Sequence, residues 1–134
     1  MIAIAAALLL AQAGASTADE PINCDKALTQ LEMNRCAARD FESSDAALNA
    51  QWAETAARMK ALDAQIDREH DKQPGYFDTL LNGQRAWLTF RDAQCLSESF
   101  LARGGSLQPM MNAQCKTYLT ELRIQQLRDL VATP

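Results

Sequence analysis

The sequence predicts an all-α domain, a small antiparallel bundle of three to four helices stapled by two disulfides. Three observations carry this. Apolar residues recur every three or four positions through most of the chain, the period of an amphipathic helix. Alternating strand patterns, internal repeats and low-complexity tracts are absent. Four cysteines, an even number in a chain of 134 residues, follow an apolar leader, which is the usage of an exported, disulfide-bonded protein.

The leader comes first. Residues 2–13 are almost wholly apolar, although no Lys or Arg precedes them. They are followed by Ala13-Gly14-Ala15 and Ser16-Thr17-Ala18, both of the small-x-small form that signal peptidase reads. Residues 1–18 are therefore expected to be a signal peptide, cleaved after Ala15 or Ala18 to leave Ser16 or Asp19 as the mature terminus. The apolar run falls short of the roughly 20 residues that span a bilayer. Pro21-Ile22-Asn23 before Cys24 is not a lipidation signal, so no membrane anchor is expected. Residues 19–134 form a single domain by length.

Thr29-Gln30-Leu31-Glu32 reads as a capping box, in which Thr29 takes the amide three residues on and Glu32 reaches back to the Thr29 amide. From Leu48 the positions Leu48, Trp52, Ala56, Met59, Leu62 and Ile66 make one helical stripe. Residues 40–45, with Ser43 and Ser44, are either a bend or an exposed turn of one long helix, and the sequence leaves both open. Residues 67–75 end this first helix, with Pro74-Gly75 as the stop. A second helix runs from about Tyr76 to Ala102, carrying Phe77, Leu80, Leu81, Trp87, Leu88, Cys95 and Leu96. Gly104-Gly105 closes it, since glycine takes the left-handed conformation that helix C-termini favour. A third helix follows Ser106-Leu107-Gln108-Pro109, with Met111, Cys115, Tyr118, Leu119, Leu122, Leu127 and Leu130 expected inward.

Reach selects the disulfide pairing. Cys95 precedes the glycine turn and Cys115 follows it, so a helical hairpin sets them opposite each other. Cys36 lies two turns beyond the Thr29 cap, about 10 Å along the axis, a distance the residues from Cys24 to Thr29 can span. Pairs 24–36 and 95–115 are favoured. Zinc is disfavoured, because there is no C-x-x-C pair and only one His.

The chain carries 13 basic and 17 acidic groups, a net charge of −4. That balance argues against a nucleic-acid partner, which demands a basic face. No cofactor motif is present. His70, in Asp67-Arg68-Glu69-His70-Asp71, is the one group that titrates near neutrality. Asp67 and Asp71 share a helical face there, but a solvated helix end explains the cluster without metal or catalysis. Glu32, Glu54 and Glu98 are scattered over polar faces with no glycosidase signature. No catalytic residue is expected. Arg85, Trp87, Arg91 and Asp92 form a dense polar–aromatic cluster, read either as interface anchors or as an internal Arg–Asp brace. Arg103, Gly104, Gly105 and Ser106 form either a partner-binding tip or a helix–helix turn.

Three segments resemble a known family. Cys24-Asp25-Lys26-Ala27-Leu28-Thr29-Gln30-Leu31-Glu32-Met33-Asn34-Arg35-Cys36-Ala37 is similar to its C-x-x-A-x-T-Q-x-E-M-N-x-C-A block. Gln84-Arg85-Ala86-Trp87-Leu88-Thr89-Phe90-Arg91-Asp92-Ala93-Gln94-Cys95 is similar to Q-R-A-W-x-x-F-R-D-A-x-C. The third runs from Gly104-Gly105-Ser106 through Cys115 to Arg123. Asp45-x-x-Leu48-Asn49 matches a further short block, with Trp52 where the family usually has Tyr. Together they resemble the lysozyme-inhibitor LprI-type family of small secreted bacterial proteins. The resemblance implies a secreted or periplasmic, non-enzymatic binding protein that inhibits lysozyme or another cell-wall lytic enzyme. A cationic lysozyme is the implied protein partner, and a mildly acidic binder gains on-rate from that charge difference. Arg103 beside the glycine pair is the candidate donor to the enzyme's carboxylates. The alternative is an envelope structural or assembly factor that docks on a partner through Trp52 or the Arg85–Trp87 face.

Overall fold

The computed structural model describes residues 22–132, which form three helices, α1 (Gln30–Asp63), α2 (Tyr76–Ser99) and α3 (Gln108–Ala132). A 3-10 turn, Cys24–Lys26, precedes α1, and a second, Phe100–Ala102, extends α2. The described residues contain no strand and no helix long and apolar enough to cross a membrane. The expected leader and both of its cleavage sites lie outside the described residues.

The capping box forms as its chemistry requires. The Glu32 amide donates to Thr29 Oγ1 at 3.2 Å, and Glu32 Oε2 accepts from the Thr29 amide at 2.9 Å. From this cap α1 runs for 34 residues, about 50 Å, without a break at residues 40–45. Ser44 is buried there and donates to the Phe41 carbonyl at 3.0 Å, so the serine pair is an ordinary turn of one long helix.

α1 stops at Asp63, before the stripe residue Ile66. The Asp63 carboxylate accepts from the amides of Tyr76 (2.6 Å) and Phe77 (3.0 Å). It thereby satisfies two of the donors that every helix start leaves open, at a terminus whose own Gly75 offers no side-chain cap. Gly75 favours that approach, since a Cβ there would meet Asp63 Oδ1 at 2.9 Å and push the carboxylate away from the amides it caps.

Sequential helices run antiparallel, but the most extensive packing is between α1 and α3, which run parallel. Asn34 Nδ2 donates to the Ser106 carbonyl near the start of both helices, and Thr55 Oγ1 donates to the Leu127 carbonyl further along. The core comprises Leu48, Met59, Leu80, Ile124 and Leu127, with Trp52, Leu62, Phe77 and Trp87 packed on it. A polar seam runs beside it, in which Thr55, Thr120 and Ser99 have no exposed surface.

The register of α3 differs from the expectation. Tyr118, Leu122 and Leu130 are exposed, and Ala113, Thr120, Ile124 and Leu127 are buried. Small residues let α3 approach its neighbours closely, and the Thr120 hydroxyl accepts from buried Arg91 at 3.2 Å. Leu96 on α2 likewise faces solvent, because the Cys95 beside it takes the inward position. Both disulfides pair as reach demanded: Cys24 with Cys36 and Cys95 with Cys115, at Cα separations of 5.7 and 5.4 Å.

Candidate functional site

Two surfaces gather the residues singled out from the sequence, one at the α2–α3 turn and one between α1 and α2. They are separated by about 20 Å of α2.

The turn is rigidly built. Gly104 adopts φ +76°, a left-handed conformation that side chains other than glycine resist. Its amide donates to Gln108 Oε1 at 2.9 Å, and the Gly105 amide donates to the Ala102 carbonyl at 2.9 Å. The Ser106 carbonyl is tied to α1 through Asn34 at 2.9 Å, and the Cys95–Cys115 disulfide closes the hairpin behind it. Arg103 is exposed and lies over the Phe100 ring at 4.5 Å, which leaves its guanidinium hydrated on one face. Leu101 next to it is 88% exposed. Neither the near-complete exposure of Leu101 nor the Asn34 brace was anticipated from the sequence, although Asn34 lies within the first motif.

The second surface is an open groove of about 340 Å³. Leu48, Asn49 and Trp52 of α1 face Leu81, Gln84 and Arg85 of α2 across it. Arg91 sits at its floor, 6% exposed. Its guanidinium donates to Asp45 (2.9 Å), Asp92 (3.0 Å) and Thr120 (3.2 Å), and it stacks near the rings of Phe41 and Trp87. The sequence cluster on α2 therefore divides. Arg91 and Asp92 form an internal brace, Arg85 opens onto the groove, and Trp87 is a half-buried wall between the cations of Arg91 and Arg123. Arg85 and Trp87 do not share one exposed face.

The other candidates fall to local roles. His70 Nδ1 lies 2.7 Å from Asp67 Oδ2 in an exposed turn rather than a helix, so the common helical face expected for Asp67 and Asp71 does not exist. Asp67 also accepts from the Glu69 amide. The His70 contact first, and this amide second, hold the Asp67 carboxyl below its usual range. Glu32 is committed to its cap, while Glu54 and Glu98 accept from Gln51 and Gln94 on their own helices.

The fold and these surfaces define a class: a small, disulfide-stapled helical domain that presents a rigid turn and an open groove. The comparisons with known proteins narrow it. The family model for lysozyme inhibitor LprI matches residues 23–127, and the chain belongs to that family. It is also 36% identical, over 95% of its own length and 92% of the relative's, to an uncharacterized protein of Rhizobium meliloti (strain 1021). No solved structure matches.

Proposed function

We propose that this chain is an exported, non-enzymatic binding protein that inhibits a lysozyme or another cell-wall lytic enzyme by occluding it. The observation that carries the reading is membership of the lysozyme-inhibitor family across residues 23–127. Two physical features support it. The net charge of −4 attracts a cationic enzyme, and that attraction is screened beyond about 8 Å at physiological salt. Specificity then rests on a few close contacts, and the braced turn bearing Arg103 has a shape able to enter a cleft. Glycosidase clefts hold two carboxylates, to which an arginine fork is complementary. Because the turn is already ordered, little conformational freedom is lost on binding.

The test is a lytic-rate assay with purified cationic lysozyme at several salt concentrations. Wild type should inhibit reversibly and less strongly as salt rises. Arg103→Ala should weaken inhibition by about 1 kcal/mol or more, the scale of an interface anchor, with unchanged helical circular dichroism. Undiminished inhibition by Arg103→Ala removes this residue from the interface. No inhibition by wild type would transfer the reading to the envelope-assembly role.

A further inference from the structure

The groove between α1 and α2 gathers side chains that the fold itself leaves unused. Two stretches singled out in the sequence, Asp45-x-x-Leu48-Asn49 and Gln84-Arg85, are far apart in the chain, and the fold brings them to opposite walls of this one groove. The buried members of these stretches serve the core. Asn49 and Arg85 do not, since both are exposed and their side chains make no hydrogen bond within the described residues.

Gln84 supplies an independent observation. It is 7% exposed, and its Oε1 accepts from Arg123 Nε at 2.9 Å. Its two amide hydrogens find no acceptor among the described residues, and the residue lines the groove. No side-chain nitrogen or oxygen among the described residues is both buried and unpartnered, so this amide is open to water in the groove, where an incoming acceptor can replace that water. The groove thus offers donors: the Gln84 amide, the Arg85 guanidinium and the Asn49 amide. Its one carboxylate, Asp45, is held by Arg91 at 2.9 Å and does not cancel Arg85. The local charge is therefore positive on a chain whose net charge is −4. Beside the donors lies an apolar wall of Leu48, Trp52, Leu81 and Leu88.

We propose that this groove binds a short acidic peptide segment of a partner protein. Gln84, Arg85 and Asn49 receive the carboxylate, and the adjoining apolar side chain lies against Trp52 and Leu81. Convergent donors around a free guanidinium match a carboxylate, and the volume of about 340 Å³ lies at the small end of ligand pockets. A neutral sugar would leave the Arg85 charge unmatched, whereas a carboxylate pairs with it. The site is distinct from the Arg103 turn, so it stands whether or not the chain inhibits a lysozyme.

The experiment is a heteronuclear NMR titration of the intact oxidised protein with acetyl-Leu-Glu-amide and its isostere acetyl-Leu-Gln-amide. The acidic peptide should saturably shift the side-chain amides of Asn49 and Gln84 and the indole of Trp52. The neutral peptide should bind about tenfold more weakly or worse, one charge-assisted contact having been lost. Arg85→Gln should reduce the acidic peptide to the level of the neutral one. Arg35→Gln, in the opening turns of α1 and about 20 Å along the helix from Asn49, should change nothing. The Arg85 side chain has no hydrogen-bond or ion-pair partner among the described residues, so its replacement should leave the melting temperature unaltered. Equal affinity for the two peptides, or no saturable shift up to about 10 mM, would overturn the proposal. So would saturable shifts at these residues with an N-acetylglucosamine oligomer in place of the acidic peptide.

Discussion

Arg91 is the residue on which three helices converge. It rises from α2, reaches Asp45 on α1 and Thr120 on α3, and is 6% exposed. Removing one partner of a buried charge network leaves the others with unmet hydrogen bonds, a loss of about 3–5 kcal/mol when all members are buried. Here the Asp45 and Asp92 side chains are 38% and 54% exposed and can rehydrate. Arg91→Met is therefore expected to cost about 2 kcal/mol, read as a lowered urea midpoint with unchanged slope. Arg91 and Asp92 could be picked out in the sequence as a cluster. That Asp45 and Thr120 join it could not be read there, because they lie 46 and 29 residues away and nothing local links them to Arg91. Glu32 illustrates the opposite case, a residue whose role is local. Amides of Thr29 and Leu28 hold its carboxyl below the ordinary value of 4.5. A depressed folded-state value means that the stabilisation is complete above about pH 4.5 and fades as pH falls through the lower folded value. The difference in thermal midpoint between wild type and Glu32→Gln should thus be largest near neutrality and shrink as the solution is acidified below the ordinary carboxyl value.

At the scale of elements, start and stop chemistry was legible and helix facing was only partly so. Thr29 with Glu32 and Gly104-Gly105 act through neighbours within a few residues, so their signals survive in one dimension. Which face of α3 turns inward depends on two other helices at once. Leucines occur all round it, and its buried side is chosen by Ala113 and Thr120, one small and one hydrogen-bonded to Arg91. The residues expected inward at Tyr118, Leu122 and Leu130 are instead exposed. The end of α1 was also misplaced, because Asp63 serves the start of α2, thirteen and fourteen residues on. Asp63→Ala should therefore destabilise the domain by about 1 kcal/mol, the usual cost of losing a cap. Hydrogen exchange should show the loss first in the opening turn of α2. Uniform acceleration across all three helices would contradict this.

For the molecule as a whole, covalent cross-links and core occupy different ends. Cys24–Cys36 closes the beginning of α1, Cys95–Cys115 closes the hairpin of α2 and α3, and Asn34–Ser106 shows that the two lie at the same end. The apolar cluster of Leu48, Met59, Leu80, Ile124 and Leu127 holds the middle and the far end. Opening the Cys95–Cys115 loop, whose ends are 20 residues apart, should cost about 3 kcal/mol in the chain-entropy model. A Cys95→Ala, Cys115→Ala double variant should show this in denaturant while retaining its helical spectrum. The candidate turn would lose more than the groove, because the staple sits directly behind Arg103. The groove depends instead on Trp52, Gln84 and the Arg91 brace. The Arg103 turn and the Arg85–Trp87 cluster were separate candidates in the sequence already, but the division of that cluster between groove and core could not be read there. That division follows from the rotation of α2, which sends Arg85 outward and Trp87 towards the core.

The connectivity has a further consequence for biogenesis. Each bridge joins a cysteine to the next one in the chain. In a polypeptide threaded N-terminus first into an oxidising compartment, Cys36 emerges while Cys24 is its sole available mate, and Cys95 emerges after that pair can already be closed. Order of arrival alone therefore yields the native pairing. The protein should mature with a thiol oxidase and no isomerase, whereas oxidative refolding of the complete reduced chain, in which all four thiols compete at once, should pass through more scrambled species.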